Sequence, residues 1–124
     1  RLMRPLAELR DAGRLKGLLF DIDDTLTTGG TLTAAAYGAM ERLKRAGRLV
    51  VPITGRPAGW CDHIARMWPV DAVVGENGAF YFLMAGGRLE KRFQDTVAAR
   101  ARNRARLETI ARRILAAVPG CAIA

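Results

Sequence analysis

The chain has 124 residues, half of them apolar, and a formal net charge of +8. This length suits one modest globular domain, and the apolar content excludes an intrinsically disordered chain, which has too little apolar surface to bury. No apolar run approaches the roughly twenty residues of a membrane-spanning helix, so we expect no membrane span.

Only two cysteines are present, Cys61 and Cys121. The first residues lack the apolar region of a secretory signal, and two cysteines form no disulfide framework and no zinc-ligand cluster. We therefore expect a cytoplasmic protein with reduced thiols.

The positive charge is concentrated at residues 88–113, which hold nine Lys or Arg against three Asp or Glu. A basic helix over residues 100–113 is one way to bind nucleic acid, with affinity that falls steeply with salt. Two observations favour a solvated helix face instead. Arg outnumbers Lys seventeen to three through the whole chain, and no aromatic residues interrupt that helix.

Three carboxylates follow the first predicted strand, residues 18–22, within the segment Asp-Ile-Asp-Asp-Thr-Leu-Thr at 21–27. Asp21 and Asp23 are two residues apart, so on an extended chain they point to the same side. Like charges that close require a cation or a shared proton, and Mg²⁺ prefers such oxygen ligands. A carboxylate is also a nucleophile toward phosphorus. The alternative is an acidic turn that caps a helix.

Next in the chain is Thr-Thr-Gly-Gly-Thr at 27–31, which predicts a tight hairpin. Thr33 then caps a predicted helix over residues 34–46, and residues 49–54 form the second strand.

The second strand also ends in polar residues, Thr54-Gly55-Arg56. A Thr hydroxyl there can donate to a phosphate oxygen, Gly55 allows its backbone N–H to approach closely, and Arg56 can pair with the phosphate. The alternatives are that Thr54 is a helix N-cap and that Arg56 makes a surface salt bridge.

A second helix over residues 58–68 carries Trp60, Ile64 and Trp68 four residues apart, and we expect this stripe to pack on the sheet. The third strand, residues 71–74, leads into Gly-Glu-Asn-Gly-Ala at 75–79. A hairpin over residues 80–93 follows, and then a long helix, capped by Asp95, that continues to about residue 118.

Taken together, the segments at 21–27, 53–57 and 75–79 resemble the haloacid dehalogenase (HAD) superfamily, and in particular its subgroup of large-cap sugar-phosphate phosphatases. The resemblance implies an α/β fold. Residues 1–79 would form the N-terminal part of a Rossmann-like parallel core, and residues 80–124 would begin an inserted α+β cap.

The resemblance also implies a Mg²⁺-dependent phosphatase that acts on a small phosphate ester, with a sugar phosphate as the favoured substrate. Asp21 would be the nucleophile and Asp23 the proton carrier, and both would belong to the Mg²⁺ site. Thr54, Gly55 and Arg56 would bind the phosphoryl group, and Asn77 would lie near the substrate.

Two family features are missing, a core Lys and a late pair of acidic residues. We therefore expect an N-terminal piece of a longer enzyme, inactive by itself. A non-catalytic phospho-ligand-binding subunit or a degenerate half-domain remains the alternative. The sequence identifies neither the substrate nor the oligomeric state.

Overall fold

A computed structural model describes residues 8–10 and 12–123, and within these ranges the chain forms one five-stranded sheet and three α-helices. The strands are β1 (Gly17–Asp21), β2 (Leu49–Ile53), β3 (Val73–Gly75), β4 (Phe80–Ala85) and β5 (Arg88–Phe93). The helices are α1 (Ala34–Arg45), α2 (Ala58–Met67) and α3 (Val97–Ala117). None of these helices is long and apolar enough to cross a bilayer.

The strands lie side by side in the order in which they occur in the chain. β1, β2 and β3 are parallel, with Phe20 opposite Pro52 and Asp21 opposite Ile53, whereas β4 runs antiparallel to β3. Helices α1 and α2 connect the three parallel strands. The predicted α/β class and parallel start of the sheet are confirmed, although the sheet as a whole is mixed.

The chain divides into two compact units, one that ends at Arg92 and one that begins at Phe93. This division separates compact units and does not test the predicted border between core and cap at residues 79 and 80, which stays a prediction.

The core of the first unit lies between α2 and the sheet. Its buried residues are Ile22, Cys61, Ile64, Ala65, Val73, Phe80 and Phe82, with Trp68 packed at the border. The predicted packing of the helix stripe is therefore confirmed for Ile64 and Trp68. It is wrong for Trp60, whose side chain is 51% exposed.

The predicted hairpin after the acidic segment is present. Thr28 and Thr31 exchange two backbone hydrogen bonds of 3.0 and 3.1 Å. Between them Gly29 and Gly30 have φ angles of 55° and 74°, the left-handed pair that a two-residue hairpin turn requires.

Side-chain hydrogen bonds set several element boundaries. The Thr33 hydroxyl accepts from the Ala36 N–H at 3.2 Å and caps α1 as predicted. α3 is capped by Thr96 and not by Asp95, because Thr96 has the extended backbone from which its hydroxyl reaches the Ala99 N–H. β3 begins two residues later than predicted, and Asp71 instead accepts hydrogen bonds from Lys44 and from the Val50 N–H.

In the second unit, no described residue of α3 is buried. Its large apolar residues, including Leu107 and Ile114, are exposed, and Arg104 donates to Glu108 one turn away at 2.9 Å. The predicted solvent-exposed basic helix is therefore present within this unit, while nucleic-acid binding stays untested.

We predict that Gly75→Ala destabilises the first unit. A Cβ there would overlap the Phe80 ring and lie 2.7 Å from Cys61 Sγ, so the core must shift to admit it. The expected loss is about 1–3 kcal/mol of unfolding free energy, measured by urea denaturation. The control is Gly59→Ala in α2, where a Cβ has nothing within 4 Å and helix propensity favours Ala. Equal stability of the two variants would contradict the prediction.

Candidate active site

The three sequence segments converge at the carboxyl ends of β1, β2 and β3, which lie at one edge of the sheet because the strands are parallel. Backbone hydrogen bonds connect the loops there. The Thr54 N–H donates to Val74 O at 2.9 Å, the Asn77 N–H to Thr54 O at 3.1 Å, and the Glu76 N–H to Arg56 O at 3.1 Å. The second and third segments therefore form one connected surface.

After β1 the backbone makes a wide turn over Ile22–Leu26 that is closed by Thr27. The Thr27 N–H and hydroxyl both donate to Ile22 O, at 2.9 and 3.0 Å, and the hydroxyl accepts from the Asp24 N–H at 3.2 Å. Thr27 is almost fully buried, whereas Asp21, Asp23 and Asp24 are exposed. Thr27 thus anchors the turn and presents its carboxylates to solvent.

Unusual backbone angles occur at the same edge. Among the described residues, the non-glycine residues with positive φ are Asp24 (57°), Glu76 (47°) and Asn77 (56°), and all three follow strand ends. Asp and Asn tolerate this region better than Glu does. Each such residue costs on the order of 1 kcal/mol, and strain of this kind is concentrated at functional sites in proteins.

Asp23 and Arg56 form a two-pronged ion pair across the edge. Arg56 Nε donates to Asp23 Oδ2 at 3.0 Å, and an Nη of Arg56 donates to Oδ1 at 2.5 Å. These hydrogen bonds hold the pKa of Asp23 below its usual range and raise that of Arg56. Arg56, predicted to bind phosphate, thus holds the predicted proton carrier here, and its phosphate role stays a prediction.

The Trp60 ring packs against the Arg56 guanidinium of this ion pair. The guanidinium carbon of Arg56 lies 4.2 Å from the centroid of the Trp60 ring, a cation–π distance. Next to these two side chains, a cavity of about 190 Å³ lies between α2 and the hairpin at residues 28–31. It is lined by Ile22, Thr27, Gly30, Leu32, Arg56, Trp60, Ile64 and Trp68. Sequence reasoning assigned Trp60 to the core and missed this contact.

Thr54 follows the last residue of β2 and is buried, with a relative exposure of 2%. Its hydroxyl accepts from the Arg56 N–H at 3.1 Å, which leaves the hydroxyl proton uncommitted by that bond. Thr54 is not an N-cap, because Pro57 occupies that position of α2. At Gly55 a Cβ would lie 3.3 Å from Asn77 Oδ1, so the Asn77 side chain directly covers the Gly55 backbone.

Oxygen donors suitable for a hard cation are present on the turn after β1. The exposed Asp21 carboxylate accepts a long hydrogen bond of 3.4 Å from the Thr25 hydroxyl. Across the described part of the chain, no three His, Cys, Asp or Glu side chains are grouped so that they could hold a metal. One carboxylate and a backbone carbonyl suit Mg²⁺, which commonly keeps several waters.

Comparison with known proteins gives one family. The sequence profile of the haloacid dehalogenase-like hydrolases matches residues 18–99. No curated protein sequence matches the chain.

Three solved structures are similar to this chain over 75–79% of its length. A haloacid dehalogenase-like hydrolase from B. subtilis is 26% identical with a TM-score of 0.56. A protein of the haloalkanoate superfamily from Bacteroides thetaiotaomicron, described in a study of phosphatases, is 29% identical with a TM-score of 0.55. A hypothetical protein from Geobacillus kaustophilus is 26% identical with a TM-score of 0.54. The chain spans about a third of each, 34–36%.

We predict that Arg56→Gln raises the pKa of Asp23 toward the ordinary aspartate value of about 3.9, because the guanidinium that favours the carboxylate is removed. In the unmodified protein the Arg56–Asp23 ion pair stabilises the fold at pH values above the ordinary aspartate pKa. This stabilisation is lost as the pH falls through the lowered pKa of Asp23. The measurement is an NMR titration of the Asp23 carboxyl carbon.

The matched control for this titration is Arg66→Gln, since Arg66 donates to Asp62 within α2 at 2.6 Å. This variant should raise the pKa of Asp62 and leave Asp23 unchanged. An Asp23 titration that is the same with and without Arg56 would contradict the ion pair.

Proposed function

The chain belongs to the haloacid dehalogenase-like hydrolases, and from that premise we propose that it carries the nucleophile of a Mg²⁺-dependent phosphatase for small phosphate esters. Phosphatases of the superfamily are among its structural relatives. We propose a sugar phosphate as the substrate and the cytoplasm as the location. Because the chain spans about a third of those relatives, the proposed activity is that of the complete protein.

The observation that carries the proposal is the exposed Asp21 at the carboxyl end of β1, two residues from Asp23. Thr54 and Gly55 follow the neighbouring strand, which is in register with β1. The proposal is supported by this arrangement, in which Asp21, Asp23 and the proposed phosphate-binding residues share one edge of the sheet.

In the first step of the proposed reaction, an Asp21 carboxylate oxygen attacks phosphorus and the bond from phosphorus to the ester oxygen breaks. Asp23 gives its proton to the leaving alcohol oxygen. In the second step, Asp23 takes a proton from water, the resulting hydroxide attacks phosphorus, and the bond from Asp21 to phosphorus breaks. Inorganic phosphate leaves, and both carboxylates return to their starting states.

The remaining groups would bind the phosphoryl oxygens. The Thr54 hydroxyl proton and the Gly55 N–H are hydrogen-bond donors for charge that develops in the transition state. Asn77 covers Gly55, which supports its proposed position near the substrate. The Arg56 guanidinium, 3.0 Å from the Asp23 carboxylate, is a further proposed contact for a bound phosphate.

For Mg²⁺ the donors are the Asp21 carboxylate and the backbone carbonyl of Asp23. When bound, the ion would neutralise the crowded negative charge of carboxylates and phosphate. The chemistry of these donors fits, since Mg²⁺ is usually held by one or two carboxylates together with substrate oxygens.

A second candidate function is a phospho-ligand-binding subunit without turnover. Its support is that the described residues hold no group of three His, Cys, Asp or Glu side chains that could bind a metal ion. Phosphate binding by the complete protein without hydrolysis of any ester would favour it.

We predict that Asp21→Asn abolishes hydrolysis of a panel of sugar phosphates with Mg²⁺ by the complete protein, because the amide is not a nucleophile. The control is Asp24→Asn on the same turn. Asn tolerates the positive φ of Asp24, so this variant should keep most of the activity. Turnover that survives in Asp21→Asn would rule out the mechanism, and phosphate release is the readout.

A further inference from the structure

Arg56, in the loop between β2 and α2, is held from two sides. On one side it donates two hydrogen bonds to the two Asp23 oxygens, and on the other it lies on the Trp60 ring at 4.2 Å. Its side chain is 24% exposed, while that of Asp23 is 51% exposed. The guanidinium thus fixes a carboxylate that otherwise has solvent around it.

We propose that Trp60 and Arg56 are positioning residues that orient the Asp23 carboxylate for the water-activating step, in which the phosphoryl group leaves Asp21. The inference rests on the proposed function and goes beyond it, because it gives both residues a role that acts through Asp23, separate from the proposed contact of Arg56 with phosphate.

The second step depends most on this hold. In the first step the leaving oxygen is part of the bound ester, whereas in the second step the attacking water is not attached to the enzyme, so the position of the Asp23 oxygens must direct it. Arg56 fixes both oxygens with hydrogen bonds of 3.0 and 2.5 Å. Two hydrogen bonds from one guanidinium also fix the plane of the Asp23 carboxylate, whereas a single hydrogen bond would let the carboxylate rotate.

Trp60 restricts the conformational freedom of the Arg56 side chain. A guanidinium on a long, flexible side chain loses rotamer freedom when it is fixed, and a flat indole face reduces the number of positions available to it. Trp60 is half exposed although it lies on the same stripe as the buried Ile64, so its ring is available to the guanidinium.

The test uses the complete protein with Mg²⁺ and a small phosphate ester, acid-quenched during steady-state turnover. The fraction of enzyme that carries covalent phosphate is measured by intact mass, together with kcat. Arg56→Lys keeps the charge but neither the fork nor the flat stacking surface, and Trp60→Leu removes the aromatic face. Both should lower kcat roughly tenfold to a hundredfold and raise the phosphorylated fraction several-fold, since the second step becomes slower.

Two further variants separate positioning from structural damage. Trp60→Phe keeps an aromatic face and should restore most of kcat. Arg66→Lys alters a similar Arg–Asp pair on α2 and should match the unmodified protein in both quantities. A lower kcat in Arg56→Lys and Trp60→Leu without a larger phosphorylated fraction would overturn the inference, and so would unchanged kinetics.

A measurement without turnover checks the same contact. The Arg56 Nε–H resonance should show a ring-current shift from Trp60, and this shift should vanish in Trp60→Leu. Absence of the shift in the unmodified protein overturns the inference and leaves the proposed function standing. Lack of both turnover and covalent phosphate in the unmodified protein overturns the proposed function, and the inference is then lost with it.

Discussion

The parallel register of β1, β2 and β3 is the constraint on which the rest of this structure depends. With Asp21 opposite Ile53, the residues that follow β1 and β2 leave the sheet at the same height. The Thr54 N–H then joins the next strand through Val74 O. Three segments that are far apart in the sequence thereby share one edge, and the polar chemistry of the chain concentrates there.

Around this edge the chain departs from regular geometry, and the departures are stabilised locally. Asp24 has a positive φ within a turn that Thr27 closes with both its N–H and its hydroxyl. Asn77 has a positive φ where its N–H reaches Thr54 O. The same bonds that offset the strain therefore also fix the relative positions of the loops.

Sequence patterns predicted most of the elements, because short-range periodicity and turn chemistry determine them. Gly29 and Gly30 specify their hairpin directly, and the Thr33 cap follows from hydroxyl chemistry. The three segments meet at one edge because the strands that they follow are parallel. The interpretation of Trp60 was wrong because helical spacing shows which residues share a stripe but not how far the sheet covers that stripe. The ion pair of Arg56 with Asp23 joins residues 33 positions apart, and no local pattern marks such a pair.

The central claim is that Asp21 becomes covalently phosphorylated, and the most direct measurement is to locate the phosphoryl group. The complete protein would be quenched in acid during turnover of a phosphate ester with Mg²⁺, cleaved at low pH and mapped by mass spectrometry. We expect phosphate on the peptide that contains Asp21, and on Asp21 within it. Sustained turnover with phosphate on a different residue, or with no phosphorylated peptide under any quench time, would contradict it.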